Sequence, residues 1–596
     1  MQNNSLIIAM NNSPLEGRQR GVFILLLIFL LIPLFSLAQE EDKIGTEVVN
    51  IVKPYSPSVS DAFKIKETPV LNESESLEKK EVHYTIFSVP VASTFTPAKG
   101  KATTVKKAKP IKLYDNYATL GYGNFSNVIA ELYSNFELSR TDNIGLYLKH
   151  NSSQGGIDGI VLDDKYYDTN FDGNYTSRQK DKTYQINAGV EHQIFNWYGL
   201  NTVFNEVSNE FLSEIDPKQT YLSAYAGASI NLDDSFFEQG SASLRYLGDD
   251  FDSSEFNVSF LPEFSFPMST SRSDFDIKVD GEIDYLSGSF ATDYFNTTEI
   301  NYSYLNAGIS PSFMYVNDDL TLSVGVSGYV SVDSENSNTD FYLYPKLNIS
   351  YRLNDEMVIV YGGADGGLEQ NSFYGFKEEN PFVSPTLAIM PTSELYNGFV
   401  GFKGKLAGKV GYNIRASYGK EEHKALFTTN SYKGMNVDNK GYEHGNSFNV
   451  VYDDLNTLSV YGELKVETSK NFSIGFSGAI NSYETTTEME AWNLPELEVS
   501  LFSNFNISEA FYGGFSIFYV GERKDQFIGG GDLPFIEILT LESYVDANVH
   551  LGYRINEKLS VFAKGSNLLG DNYEKWINYP VQGVQGLLGL SYKFDW

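Results

Sequence analysis

The chain has 596 residues, with 77 Asp and Glu against 44 Lys and Arg and a formal charge of −33. This balance argues against a nucleic-acid partner, because the net negative charge repels a phosphate backbone. The absence of cysteine excludes disulfide staples and thiolate metal sites, and an aromatic content of 15% excludes an acidic disordered polymer.

At the N-terminus, Arg18 and Arg20 precede an apolar run from Val22 to Leu34, and Ser36-Leu37-Ala38 supplies a small-x-small cleavage site before Gln39. The pattern predicts a secretory signal peptide over residues 1–38, and Met10 is an alternative start that gives the basic region ordinary length. Pro33 and the cleavage site argue against a helical membrane anchor. No second long apolar run follows, so the mature chain offers no transmembrane helix.

Residues 39–112 read as a short periplasmic segment. Pro54-Tyr55-Ser56-Pro57 and Pro69 favour an extended, locally stiff chain, and Val59, Phe63 and Ile65 supply apolar anchors for docking onto a periplasmic protein or the barrel mouth. Lys99, Lys101, Lys106, Lys107, Lys109 and Lys112 then form a basic run in an otherwise acidic chain. Such a run suits anionic headgroups or an acidic partner.

From residue 113 onward the dominant signal is alternation. In the closing LGLSYKFDW, Leu588, Leu590, Tyr592, Phe594 and Trp596 share one strand face, and Gly589, Ser591, Lys593 and Asp595 share the other. The apolar face has no matching core elsewhere in the chain, which makes lipid its neighbour and the strand a stave of an all-β, transmembrane antiparallel β-barrel. The 41 Tyr and 42 Phe against 8 Met fit such staves and their aromatic girdles.

Carrying the parity along the chain predicts strands near 114–123, 128–138, 143–152, 166–177, 183–194, 220–231, 240–247 and 254–266. Further strands are predicted near 273–286, 300–316, 320–332, 341–351, 356–364, 394–404 and 409–419. The last seven lie near 457–466, 471–482, 494–505, 511–521, 540–553, 558–567 and 583–595. The total is about 22, an even number, as closure with both termini on one side requires. Segments 240–247 and 356–364 carry the weakest pattern, and Pro311 is expected to interrupt a long strand. Short polar turns such as Asn506 to Glu509 alternate with long connections such as Tyr483–Asn493, Glu522–Leu539 and Leu568–Gln582, and segment 420–456 is expected to form a hairpin outside the membrane. Short turns periplasmic and long loops extracellular place the chain in the outer membrane of a Gram-negative bacterium, in contact with lipid and lipopolysaccharide. A soluble sandwich or propeller is the competing all-β reading, and strands of about ten residues with many exposed aromatics disfavour it.

No catalytic constellation is found. His83, His150, His192, His423, His444 and His550 show no metal-ligand spacing, although His423 and His444 share one external loop with Glu421, Glu422 and Glu443. His550 is predicted to face the lumen beside Asp546 and Asn548. Carboxylates cluster at Asp163, Asp164 and Asp168, at Asp249, Asp250 and Asp252, and at Asp333, Glu335, Asn336 and Asp340. The alternating oxygens of the last cluster suit a structural calcium ion, and the His423–His444 loop a transition metal, beside the plain reading of solvated acidic loops. Gly529-Gly530-Gly531 has no following helix and reads as a flexible loop. No cofactor is expected.

Four C-terminal pieces, AWNLPELEVSLFSNFNIS, GGFSIFYVGERKD, LESYVDANVHLGYRINEKLSVFAKGSNLLGDNYEKW and GLLGLSYKFDW, carry recurrent features: Leu494-Pro495, Tyr519-Val520-Gly521-Glu522-Arg523 and Asn567-Leu568-Leu569-Gly570-Asp571-Asn572-Tyr573. The chain resembles the TonB-dependent receptors in these features. The resemblance implies a barrel of similar strand number and a transport or receptor function. Those receptors carry an N-terminal plug of about 150 residues inside the lumen, whereas the segment between Gln39 and the first strand is far shorter and shows no succession of strands and helices. A barrel of this width has either an open pore or a lumen that something else fills, and an open pore of that bore would breach the permeability barrier, which favours filling. The connections 365–393 and 420–456, the N-terminal segment and a partner protein are the candidates. Glu47, Val48, Val49, Ile51 and Val52, followed by Pro54 and Tyr55 and then Phe63, resemble a TonB box with its docking flank, which a partner reads by strand addition. Tyr592, Phe594 and Trp596 resemble the terminal signal by which barrels are recognised for assembly. The expected function is therefore outer-membrane transport or reception without a conventional plug. The alternative is a scaffold subunit of an envelope complex, for assembly, secretion or a surface lipoprotein partner.

Overall fold

A strand with one apolar and one polar face and no core to bury either needs a different neighbour on each side, and a closed ring between lipid and water supplies both. The computed structural model describes residues 112–201, 207–270, 274–434, 436, 438–469, 471–529 and 535–596. The predicted signal peptide and the docking residues Glu47 to Val52, Pro54, Tyr55 and Phe63 lie outside the described residues.

The wall begins with β1 (Asn116–Gly123), β2 (Val128–Glu137), β3 (Asp142–Ser153), β4 (Tyr166–Arg178), β5 (Lys182–Asn196), β6 (Lys218–Leu232) and β7 (Phe237–Asp249). It continues through β8 (Ser254–Ser269), β9 (Asp274–Phe290), β10 (Ile300–Val316), β11 (Leu320–Asp333), β12 (Asn338–Asn354) and β13 (Val358–Glu369). Then come β14 (Thr392–Leu406), β15 (Val410–Thr429), β16 (Phe448–Ser469), β17 (Phe472–Thr485), β18 (Leu497–Asn506) and β19 (Phe511–Val520). A separate hairpin, β20 (Arg523–Gly529) with β21 (Phe535–Leu541), leaves the wall before β22 (Tyr544–Arg554) and β23 (Leu559–Ser566). Two short strands, β24 (Glu574–Trp576) and β25 (Tyr579–Pro580), precede the last stave, β26 (Gln585–Phe594). The ring of 22 antiparallel strands closes where β1 pairs with β26, Asn116 opposite Phe594 and Gly123 opposite Leu587.

Every predicted stave is present. The two weakest expectations, near 240–247 and 356–364, are the full strands β7 and β13. Pro311 does not interrupt β10: the ladder to β9 continues through Pro311 opposite Val279, and only the ladder to β11 skips Ser310 and Pro311. A ring nitrogen without N–H forfeits bonds on one side of a strand alone. The expected loop over 522–539 is corrected by the β20–β21 hairpin, so Gly529 ends a strand, and Thr540 and Leu541 belong to β21 instead of opening β22.

The outward faces are apolar as expected, with Leu588 71% exposed on the closing strand and Trp596 79% exposed just beyond its end. Inward faces pair polar groups: the Tyr329 hydroxyl donates to Glu282 at 2.7 Å, the Tyr225 hydroxyl to Asp172 at 2.5 Å and the Lys346 ammonium to Asp280 at 2.5 Å. Short turns such as 317–319, where Asn317 Oδ1 accepts the Asp319 and Leu320 N–H groups, line one rim. The long connections gather at the other rim. There β15 and β16 rise highest, and their pairing shifts register around His423, whose backbone is left-handed at φ 54. Two short helices that the alternation did not foreshadow, α1 (Asn209–Glu214) and α2 (Phe373–Glu379), sit in these connections.

Candidate functional site

The long-loop rim carries the largest buried core of the described residues, and its centre is the connection 370–391. This stretch reads NSFYGFKEENPFVSPTLAIM over 371–390, too apolar for a solvated loop. It opens with Ser372, whose hydroxyl accepts the Gly375 N–H at 3.0 Å and starts α2. Phe373, Phe376 and Lys377 fall on one helical face, and all three are buried.

That face packs on the inside of the wall. Glu255, at the start of β8, accepts the Phe373 N–H at 2.6 Å, the Tyr374 N–H at 3.0 Å and the Tyr302 hydroxyl at 2.9 Å. The Phe373 ring meets Phe290 at 5.0 Å and Tyr221 at 5.9 Å. Across the lumen, Phe376 meets Phe427 of β15 at 5.7 Å. Lys377 reaches β5, where it donates to Gln193 at 2.6 Å and pairs with Glu191 at 3.3 Å. The helix therefore lies within the ring and spans from β5 and β8 to β15.

The rest of the segment is tied by the other long connections. Val383 bridges Phe448 of β16, and the Ser384 N–H donates to the Phe448 carbonyl at 2.9 Å. The Trp197 indole donates to the Phe382 carbonyl at 3.0 Å, and the Phe382 ring stacks on Tyr579 with centroids 3.8 Å apart. Trp576 adds contacts to Phe427 at 5.4 Å and Phe448 at 5.3 Å. At the neck, the Asn371 amide donates to the Met390 carbonyl at 2.9 Å and to Thr392 Oγ1 at 2.8 Å. Each buried aromatic pair adds about 0.5–1.5 kcal/mol beyond its buried area.

The β20–β21 hairpin docks beside this connection through Asp525. Its carboxylate accepts the Thr429 N–H and hydroxyl, both at 3.0 Å, the Asn493 amide at 3.1 Å and the Gln526 N–H at 2.7 Å. Burial pushes its pKa up to about 6 despite these donors.

The expected histidine and acidic sites take other roles. His444 is buried against Phe211, its pKa lowered by burial, and His423 is exposed on the bulge. His550 lies in β22 with Asp546 and Asn548, which bind Tyr573 and Asn567 of the neighbouring connection. Asp333 accepts the Glu335 and Asn336 N–H groups of its own turn, Asp249 accepts those of Phe251 and Ser253, and Asp163 pairs with Lys165. Among the described residues, no group of three or more His, Asp or Glu could hold a metal ion. Tyr592 and Trp596 face outward, and Trp596 stacks on Phe136 at 6.2 Å.

The closed ring of 22 strands superposes on several solved structures. The siderophore receptor PirA from Acinetobacter baumannii superposes with a TM-score of 0.61 at 13% identity, over 82% of this chain and 81% of that one. The chain has the outer-membrane barrel fold of the TonB-dependent receptors. The ferric-catecholate import receptor Fiu from K12 E. coli gives 0.59 at 11% identity, over 80% and 82%. The copper transporter OprC gives 0.56 at 12% identity, over 82% and 81%. No family model and no curated protein matches the sequence.

In this TonB-dependent-receptor-like barrel, the residues that carried the sequence resemblance hold the rim together. Asn567, left-handed at φ 47, donates its amide to the Asp571 and Gln582 carbonyls at 2.9 Å each. Arg523 donates to the Glu574 carbonyl at 2.8 Å and to that of Lys575, and Tyr573 stacks on Tyr544 at 3.9 Å. The Pro495 carbonyl accepts the Tyr483 hydroxyl at 3.2 Å, and the strand starts two residues later, at Leu497. Sequence reasoning did not single out Glu255, Lys377, Glu191 or Asp525. The available signal was the apolar run Phe382 to Met390 inside a connection.

Proposed function

We propose that this protein is an outer-membrane transport or receptor barrel of the TonB-dependent receptor type, without a conventional plug, whose mouth is filled by its own connections. The observation that carries this reading is the segment 370–391, held inside the ring by Glu255, Glu191 and the aromatic cluster of Phe427, Phe448 and Tyr579. In this reading the long connections face the outside, and the short turns and both termini face the periplasm of a Gram-negative cell. Glu47 to Val52, with Pro54, Tyr55 and Phe63, offer an extended strand to a periplasmic energy-coupling protein. Tyr592, Phe594 and Trp596 serve recognition during assembly. The protein moves or binds a solute and does not transform it.

The test is conductance in a planar bilayer. The intact chain is expected to carry no steady current, and a variant with 373–389 replaced by a short Gly-Ser linker is expected to conduct. A steadily conducting intact chain, or a silent deletion variant, overturns the lid. Deleting Glu47 to Val52 should abolish uptake in cells, and unchanged uptake would sink the coupling role.

A second reading is a scaffold subunit of an envelope complex. It is favoured by the interlocking of Trp197, Phe382, Asn446 and Tyr579, from four different connections, which offers a partner a built surface. A stoichiometric partner recovered with the intact chain in mild detergent would favour it.

A further inference from the structure

Against the lumen wall under α2 lies a cavity of about 270 Å3, lined by Asn187, Tyr225, Arg245, Glu255, Asn257 and Tyr374 among others. It has room for roughly nine waters at their liquid volume, the size of an amino acid or dipeptide. Tyr225, Arg245 and Asn257 are direct cross-strand neighbours on β6, β7 and β8, so their side chains share one row of the inner face.

Arg245 is the distinctive group. Its guanidinium carbon lies 3.6 Å from the Tyr374 ring centroid and 5.8 Å from that of Tyr225. The two rings hold the guanidinium against the cavity, and a hydrogen bond to Tyr374 uses one of its several N–H donors, so the others serve a ligand. Among the described residues Arg245 has no ion-pair partner. The carboxylate that also lines the cavity, Glu255, is already engaged by two backbone N–H groups and the Tyr302 hydroxyl.

The surroundings choose the kind of anion. Asp172 accepts from Tyr225, Asp284 accepts from Asn257 at 3.1 Å, and Glu191 faces Lys377 on the adjoining wall. Such a wall repels a doubly charged anion and attracts a ligand that brings its own positive charge. A planar guanidinium fork matches a carboxylate with two parallel hydrogen bonds.

We infer that this cavity binds the carboxylate of a small zwitterionic solute, an amino acid or short peptide, with Arg245 as its anchor. The site sits deeper in the ring than α2, so a solute arriving from the long-loop rim meets it after the lid. Its place on a transport route rests on the function proposed above, but binding is measured without transport.

The experiment is isothermal titration of the full chain in detergent with L-alanyl-L-alanine, with inorganic phosphate as competitor. One saturable site is expected. Arg245→Gln should abolish binding, and Arg245→Lys, which keeps the charge and loses the fork, should weaken it by about tenfold or more. Phosphate should not displace the dipeptide. Ser243→Leu fills the cavity while leaving Arg245 in place, and it should abolish binding even if Arg245→Gln does not fold. Absence of saturable binding by the intact chain, binding unchanged in Ser243→Leu, or displacement by equimolar phosphate would overturn the inference. A failed titration alongside the expected conductance results overturns this site alone and leaves the transport reading standing.

Discussion

The Lys377 ammonium lies 3.3 Å from the Glu191 carboxylate, and none of the lysine side chain is exposed. The pair joins α2, on the connection 370–391, to β5 on the far side of the sequence. Gln193 Oε1 at 2.6 Å and Glu378 at 2.6 Å complete the ammonium's shell, and Tyr374 covers it with its ring centroid 4.4 Å away. A buried ion pair adds little net stability over an apolar pair of the same shape, but removing one partner strands the other charge. Lys377→Met should therefore release α2 from the wall, at a cost of about 3–5 kcal/mol to lid docking. Hydrogen exchange of the 373–380 amides should accelerate while barrel-wall amides stay protected. Unchanged exchange over 373–380 would show that Lys377 does not hold the lid.

Glu255 holds the other end of the same helix. Glu255→Leu leaves the Phe373 and Tyr374 N–H groups without their acceptor, at about 1–3 kcal/mol for each buried group left unsatisfied. Glu255→Gln keeps an acceptor oxygen and should lose less. Cleavage within 371–390 by added protease should rank Leu above Gln above the natural residue, and equal rates would count against the anchor.

The Phe382–Tyr579 stack is predicted to couple two connections far apart in sequence. Phe382→Ala and Tyr579→Ala should each loosen the lid, and the double variant should cost less than the sum by about 0.5–1.5 kcal/mol. Additive losses in a double-mutant cycle on lid protection would mean that the rings act separately.

Docking of the β20–β21 hairpin should depend on pH with a defined sign. The docked Asp525 titrates at about 6 against an ordinary 3.8, so docking is most favourable below the ordinary value and weakens as pH rises through about 6. The difference corresponds to about 3 kcal/mol at most. Trp492, buried beside Asn493, reports this: iodide should quench its fluorescence more at pH 7.5 than at pH 5 in a variant lacking the other tryptophans. Asp525→Asn should flatten the difference. A pH-independent signal in the parent would rule out the titration.

On the closing strand, Leu590 faces outward and Ser591 faces the Thr119 hydroxyl inside, at 3.1 Å. Leu590→Arg should destabilise the barrel by about 2–4 kcal/mol in lipid, and Ser591→Arg much less. Unfolding in bilayers by denaturant measures both, and an equal effect of the two would overturn the assignment of faces.

The staves were legible in the sequence because strand facing is a local property. Leu588, Leu590 and Tyr592 alternate with Gly589 and Ser591 whatever the rest of the chain does, and that period settles which side meets lipid. The hairpins followed for the same reason, since a turn such as 317–319 carries its own Asn317 acceptor. What the period does not encode is the destination of a connection. Phe382, Val383, Leu387 and Ile389 announce only that some core awaits them. Their burial depends on ring closure, which sets Glu255 against Phe373 across 118 residues and Gln193 against Lys377 across 184. So the sequence by itself determined a lipid-facing barrel and its strand order, because neighbouring strands pair. Only the tertiary structure decided what fills its mouth, because the partners of α2 come from staves that meet it once the ring has closed.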